Sequence, residues 1–204
     1  DSSLKSFNNV FRHSQLSSLI DDTDTSILNN ITNVTLSKKI TPTLNTATGH
    51  NVYFNNVLYN PHSEHNKLAG GITTSSGFFV SGDTENEQFF DDDGDGNIRR
   101  YYLVGAVRTY SDETAGTIDY STGDIKINSL NIISISDVDD VTSTTIRITG
   151  IPDSKDIVPV RNQILEIDMT NTTVTGEIDT IAVGATGASS SYTTSTSYTP
   201  TKSF

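Results

Sequence analysis

Thr117-Ile118-Asp119-Tyr120 and Ile125-Lys126-Ile127-Asn128-Ser129-Leu130, joined by Ser121-Thr122-Gly123-Asp124, decide the fold class of this chain. Two β-prone runs flank a short polar turn that contains glycine, which is the pattern of a β-hairpin. The same signal recurs outward in both directions. Upstream lie Asn51 to Tyr59, Phe78-Phe79-Val80, Gln88-Phe89-Phe90 and Ile98 to Val107. Downstream lie Ile132 to Ile135, Thr145 to Ile148, Ile164 to Ile167 and Thr173 to Val183. Turn clusters separate these runs, and after residue 50 no helical run of convincing length intervenes. The spacing predicts a mainly β protein of antiparallel sheets, a sandwich or small barrels, and argues against a layered α/β fold. Strands rich in Thr, Val and Ile suit sheets with one solvated face.

The two ends differ from this middle. Phe7, Val10, Phe11, Leu16, Leu19 and Ile20 keep a broken three-and-four spacing, which predicts a short amphipathic N-terminal helix. An acidic break, Asp21 to Asp24, follows, and Asp24 or Thr25 can cap a short turn over Ser26 to Asn30. Val34 to Ile40 reads as a strand leading to Pro42. Asn55-Asn56 is a tight turn or a bulge, because Asn tolerates positive φ. Residues 184–204 are Gly, Ser, Thr and Tyr with Pro200, too poor in apolar surface to offset their own ordering entropy. They read as an extended tail or arm, with Tyr192, Tyr198 and Phe204 as anchors. The expected organisation is a lead-in from a preceding domain over 1–40, a β-rich domain over 41–183 with a subdomain break near 131–150, and the tail over 184–204. The chain opens on Asp1 with no signal-peptide pattern and reads as a piece of a longer protein.

Composition narrows the function. There is no Cys, which excludes a disulfide scaffold, a thiol nucleophile and Cys-ligated metal. Lys and Arg number 13 against 25 Asp and Glu, a net charge of -12. That balance disfavours partnership with nucleic acid or with an anionic membrane. No apolar run is long enough for a membrane-spanning helix.

The sharpest local motif is Asp91-Asp92-Asp93-Gly94-Asp95-Gly96-Asn97-Ile98. Asp91, Asp93, Asp95 and Asn97 stand at the spacing of oxygen ligands in a calcium loop, with Gly96 at the turn. The position of the closing bidentate Glu holds Tyr102, and the flanks read as strands. An acidic hairpin turn is the other reading of the same residues. His62, Glu64 and His65 form a second cluster, read as a solvated loop because no third metal ligand follows from the spacing. His13 and His50 have no ligand-like neighbours. Neither a Gly-x-Ser-x-Gly elbow nor a phosphate-binding Gly-x-x-x-x-Gly-Lys loop is present. Carboxylates abound, yet a glycosidase needs two facing each other across a cleft, which spacing does not show. No catalytic residue and no cofactor is expected. Asn30, Asn33 and Asn171 open formal glycosylation triplets of the kind an Asn- and Thr-rich chain contains by chance.

Several segments occur in an order found in T4-like myoviruses. They are Phe7 to Ser14, Ile40-Thr41-Pro42-Thr43-Leu44, Val52 to Asn56 with Leu58 to His62, Asp91 to Tyr102, Gly116 to Ile125, and Asp156 to Leu165. Together they resemble the C-terminal region of the baseplate wedge protein of the cyanophage type that joins neighbouring wedges into the inner baseplate ring. The resemblance covers most of residues 1–168. It implies a structural virion component of a contractile tail, β-rich and without a catalytic site, assembled in the host cytoplasm. Its implied partners are other wedge proteins and a second copy of itself. Val158 to Ile167, with Arg161 in an apolar run, is a candidate interface strand or a core strand with a solvated Arg. The alternative function is a calcium-stabilised extracellular β-module of adhesin or surface-layer type, for which the Asp91–Asn97 loop would be the ion site.

Overall fold

The structure is a computed structural model, and residues 9–60, 71–137, 142–160 and 163–176 are described. The chain divides into two compact units, residues 1–167 and 168–204. The first contains one helix and nine strands among its described residues. They are α1 (His13–Asp21), β1 (Leu36–Ile40), β2 (Thr46–Tyr53), β3 (Thr74–Ser75), β4 (Phe78–Val80), β5 (Asp83–Asp92), β6 (Asn97–Val104), β7 (Val107–Asp119), β8 (Asp124–Ile135) and β9 (Ile146–Gly150). Every strand pairing is antiparallel. The mainly β architecture expected from the turn spacing is the one observed.

Strand β8 organises the sheet. Ile125 and Ile127 are buried while Lys126 and Asn128 are exposed, so the period-two alternation of a strand sets which residues face the core; the extra β8 residue between Ile127 and Leu130 shifts the phase, and Ile132 faces the core from the other parity. One edge of β8 pairs with β2, from Tyr53↔Asp124 to Thr46↔Ile132, with a bulge between Thr48 and His50. The other edge is shared. β7 occupies it from Asp124 to Ile127, and β4 occupies it from Ile132 to Ile135. β4 in turn pairs with β5, β5 with β6, and β6 with β7. The pairings therefore close on themselves, and the sheet wraps into a small barrel. A branch runs from β5 through β3 and β9 to β1.

The core lies inside this wrap. Phe78, Val80, Phe90, Ile98, Ile118, Ile125, Ile127 and Ile132 meet Ile146 and Ile148 of β9, Ile40 of β1, and Val52, Phe54 and Leu58. Isoleucine dominates because a β-branched side chain packs well on a pleated surface.

The hairpin that decided the fold class is β7–β8. Gly123 has φ 74, and its carbonyl accepts the Phe54 amide at 2.9 Å. A β-carbon there would overlap the carbonyl oxygen of Asn56. Gly123→Ala is therefore expected to cost more than about 2 kcal/mol, since left-handed strain and a backbone collision add. Gly82, with φ 97 and open space around it, is the control. Gly82→Ala carries only the strain, about 1 kcal/mol, and urea unfolding of the two variants reads the difference.

Some local expectations shift. Helix α1 spans His13–Asp21 and leaves out Val10 and Phe11, while Phe7 lies outside the described residues. Phe11 instead forms an antiparallel bridge with Ile157, with both backbone hydrogen bonds at 2.9 Å. Asp24 does cap a turn, accepting the Ser26 amide at 2.8 Å. Asn55 takes φ 54, as its residue type allows. Residues 164–167 and 173–176 are not strands, although their apolar pattern suggested strands. Alternation sets a face, but a strand also needs a partner ladder for its amides and carbonyls. Residues 177–183 and the tail over 184–204 lie outside the described residues. In the second unit, Asp168 caps a turn, accepting the amide and Nδ2 of Asn171 at 3.3 and 2.7 Å.

Candidate functional site: a buttressed hairpin with an apolar tip

The acidic motif does not act as one loop. Asp91 and Asp92 are the last residues of β5, and the turn proper spans Asp93 to Gly96. Consecutive strand residues face opposite ways, so the two carboxylates enter different environments. Asp92 is buried; its Oδ1 accepts the Thr73 amide and its Oδ2 accepts the Tyr120 hydroxyl, both at 2.6 Å. Burial, then this bond to Asp92, holds the Tyr120 hydroxyl far above the ordinary tyrosine range.

Asp91 is fully buried on the other side. It stands directly opposite Arg99 on β6. Arg99 donates through Nε to Asp91 Oδ1 and through Nη2 to Oδ2, each at 3.0 Å. Arg108 Nη1 and the Tyr110 hydroxyl, both from β7, donate to the same Oδ2 at 2.9 and 3.0 Å. Burial pushes the Asp91 carboxyl up from its ordinary value, against the pull of Arg99, Tyr110 and Arg108. The guanidiniums also lie over rings: Arg99 is 4.2 Å from the Tyr110 centroid and Arg108 is 4.8 Å from that of Tyr101. Phe89 stacks on Tyr101 at 5.6 Å. The face of β5, β6 and β7 is thus braced by an alternation of rings and paired charges.

Asp93 serves the turn. Its Oδ1 accepts the amides of Asp95 and Asn97 at 2.7 and 3.0 Å, and its Oδ2 accepts Asn97 Nδ2 at 2.6 Å. These bonds hold the Asp93 carboxyl below its ordinary value despite partial burial. Asp95 is exposed at the tip. The four calcium-ligand candidates are therefore not gathered: Asp91 is engaged by two arginines and a tyrosine, and Asp93 and Asn97 are engaged with each other. Among the described residues no three His, Asp or Glu side chains form a metal-holding group. His62, Glu64 and His65 lie outside the described residues. His13 Nε2 is 3.0 Å from the Thr32 carbonyl, and His50 Nε2 is 3.2 Å from Thr48 Oγ1. Adding millimolar calcium is expected to move the melting temperature by less than about 1 °C. Calorimetry checks this; a larger rise that disappears in Asp93→Ala would restore the calcium reading.

Beyond this brace the β6–β7 hairpin ends in Leu103-Val104-Gly105-Ala106-Val107, all exposed. Leu103, Val104 and Val107 are 48, 60 and 68% exposed. Two successive apolar residues at the end of a strand cannot both face a core, which was the legible sign of this tip. The ion pair had a sign too: Asp91 and Arg99 are equidistant from Asp95, and hairpin residues equidistant from the turn stand opposite each other. A second exposed apolar stretch is Val158, Val160 and Ile164, at 60, 44 and 49%. Residues 158–160 and 163–164 are not in strands, the neighbouring Ile157 is buried, and Arg161 lies outside the described residues.

Among the described residues two depressions stand out. One, of about 290 Å³, lies between β1 and β2 beside Lys38, Lys39 and Tyr53. The other, of about 490 Å³, lies over β2, β7 and β8. Both are shallow and open. Comparison with protein families, with curated protein sequences and with solved structures returns no match.

Proposed function

We propose that the chain is a structural component of the baseplate of a contractile phage tail, working through protein–protein contact between wedge subunits. The observation that carries this reading is the ordered series of segments from Phe7 to Leu165 that resembles the ring-joining wedge protein. The geometry is of a kind such a part needs. An apolar hairpin tip stands on a rigid, charge-braced base, and contiguous exposed apolar surface marks sites of association. Under this reading the partners are other wedge proteins and a second copy of the chain, and the location is the virion baseplate after assembly in the host cytoplasm.

Negative-stain imaging of particles made without this gene tests the reading: free wedges and no closed ring are expected, and closed rings would overturn it. A separate expectation concerns the hairpin. Leu103→Asp with Val107→Asp should lower the yield of closed rings at least about tenfold, because charges on a contact surface must be desolvated. The melting temperature should stay unchanged, since both residues are exposed. Normal ring yield in that double variant would place the contact elsewhere on the chain.

A further inference from the structure

We infer that residues 9–35 form a releasable strap, which lets go of the barrel as one unit and uncovers the backbone edge at Ile157 while the barrel stays folded. Burial is the first observation. No residue from Asn9 to Thr35 is buried, and the core cluster takes nothing from this stretch. Leu19, Leu28 and Ile31 are 62, 71 and 89% exposed. Helix α1 buries no side chain and has no extended packing contact with any of the nine strands. Nine residues make a helix too short to be stable alone in water. Its charges add no support. Asp21 and Asp22 stand at the C-terminal end, where the helix dipole favours cations, and no basic residue lies in the last turn.

The strap is tied together from within and attached at one place. Asn30 joins its two halves: Nδ2 donates to the Ser17 carbonyl at 3.1 Å and to Asp21 Oδ1 at 2.6 Å, while Oδ1 accepts the Ser17 and Thr32 hydroxyls, both at 2.8 Å. His13 Nε2, 3.0 Å from the Thr32 carbonyl, adds a second tie. Internal bonds of this kind make a stretch open together, as a cooperative unit. Among the described residues, the hydrogen bonds from the strap to the rest of the chain end on Lys155, Asp156 and Ile157. Phe11 and Ile157 exchange amide and carbonyl bonds at 2.9 Å. Asp156 Oδ1 accepts the His13 amide at 2.8 Å, and Lys155 Nζ donates to the Thr32 carbonyl at 3.0 Å. Segments with few buried apolar contacts open at the low end of the free-energy range. When this one opens, the amide and carbonyl of Ile157 lose their partners beside the exposed Val158 and Val160. While it is down, that edge is closed to any other extended chain. The strap therefore controls access to the edge.

The test is amide hydrogen exchange of the full chain, followed by NMR at several low urea concentrations. The Phe11 and Leu16 amides are expected to exchange at least about a hundredfold faster than the slowest amides of β7 and β8. Their rates should depend little on urea, because a local opening exposes little surface. The Ile157 amide is the sharpest probe. Ile157 is only 3% exposed, yet its amide donates to Phe11, so it should follow the rate and the urea slope of the strap. Asp156→Ala removes the bond to the His13 amide, and Asn30→Ala removes the internal ties. Each should speed exchange at Phe11 and Ile157 by about fivefold and leave the amides of β7 and β8 unchanged. Three results would overturn the inference: strap amides as slow and as urea-dependent as the barrel, an Ile157 amide that keeps the barrel's protection while Phe11 exchanges, or variants that change strap and barrel alike or change neither. Hydrogen exchange does not report ring closure, so the assembly reading stands or falls separately.

Discussion

Asp91→Ala is expected to destabilise the barrel by about 3–5 kcal/mol, the usual cost of removing one partner from a buried ion pair. Asp91 is 0% exposed and Arg99 only 5%. Without the carboxylate, the Arg99 guanidinium keeps its bond to the Asp92 carbonyl at 2.9 Å but loses its counter-charge in a site where water is scarce. Arg108 behaves differently. Its side chain is 34% exposed and can turn to solvent, so Arg108→Ala should cost about 1 kcal/mol or less. Removing both charges of the buried pair, with Asp91→Leu and Arg99→Leu together, should recover much of the loss, because no uncompensated charge remains. Urea unfolding of the three variants distinguishes these cases. A loss below about 1 kcal/mol for Asp91→Ala would mean that the pair contributes packing and no electrostatic constraint.

Phe78→Ala should be comparably severe, about 3–5 kcal/mol. Phe78 is fully buried and packs on Phe90 with ring centroids 4.7 Å apart. Its strand is only three residues long, yet it joins β5 on one side and β8 on the other through Phe78↔Gln88 and Phe78↔Ile135. The side chain therefore anchors the closure of the barrel as well as filling its interior. Short strands with bulges on both sides have little room to collapse into a void, which places the cost toward the upper end of that range. Phe79→Ala is the internal comparison. Phe79 is only half-buried on the opposite face, and a loss under about 2 kcal/mol is expected there. Equal losses at the two positions would show that the ring of Phe78 has no special part in closure.

Much of the fold was legible from local chemistry. The turn around Gly123, the alternation in Ile125 to Asn128 and the Asn55 corner follow from backbone preferences that need no partner. What escaped was non-local. The apolar spacing placed Phe11 in the short N-terminal helix, but Phe11 is held by Ile157, far along the chain. Asp91 to Asp95 read as one acidic loop because the compensating charges, Arg99 and Arg108, come from the next two strands. Half of the outward face of β2, β7 and β8 was readable, since Asp119 and Thr117 share a side of one strand. Its other half depends on the pairing of Tyr53 with Asp124, which no local pattern announces.

The bridge between Phe11 and Ile157 has a mechanical consequence. Its two backbone bonds join the chain ahead of the barrel to the chain behind it, and His13 adds a third bond to Asp156 at 2.8 Å. Tension applied near residues 9 and 160 would load this clasp first, while strands β1 to β9 between those points stay out of the line of force. Three hydrogen bonds then stand between such a load and the paired strands β1 and β9 behind them.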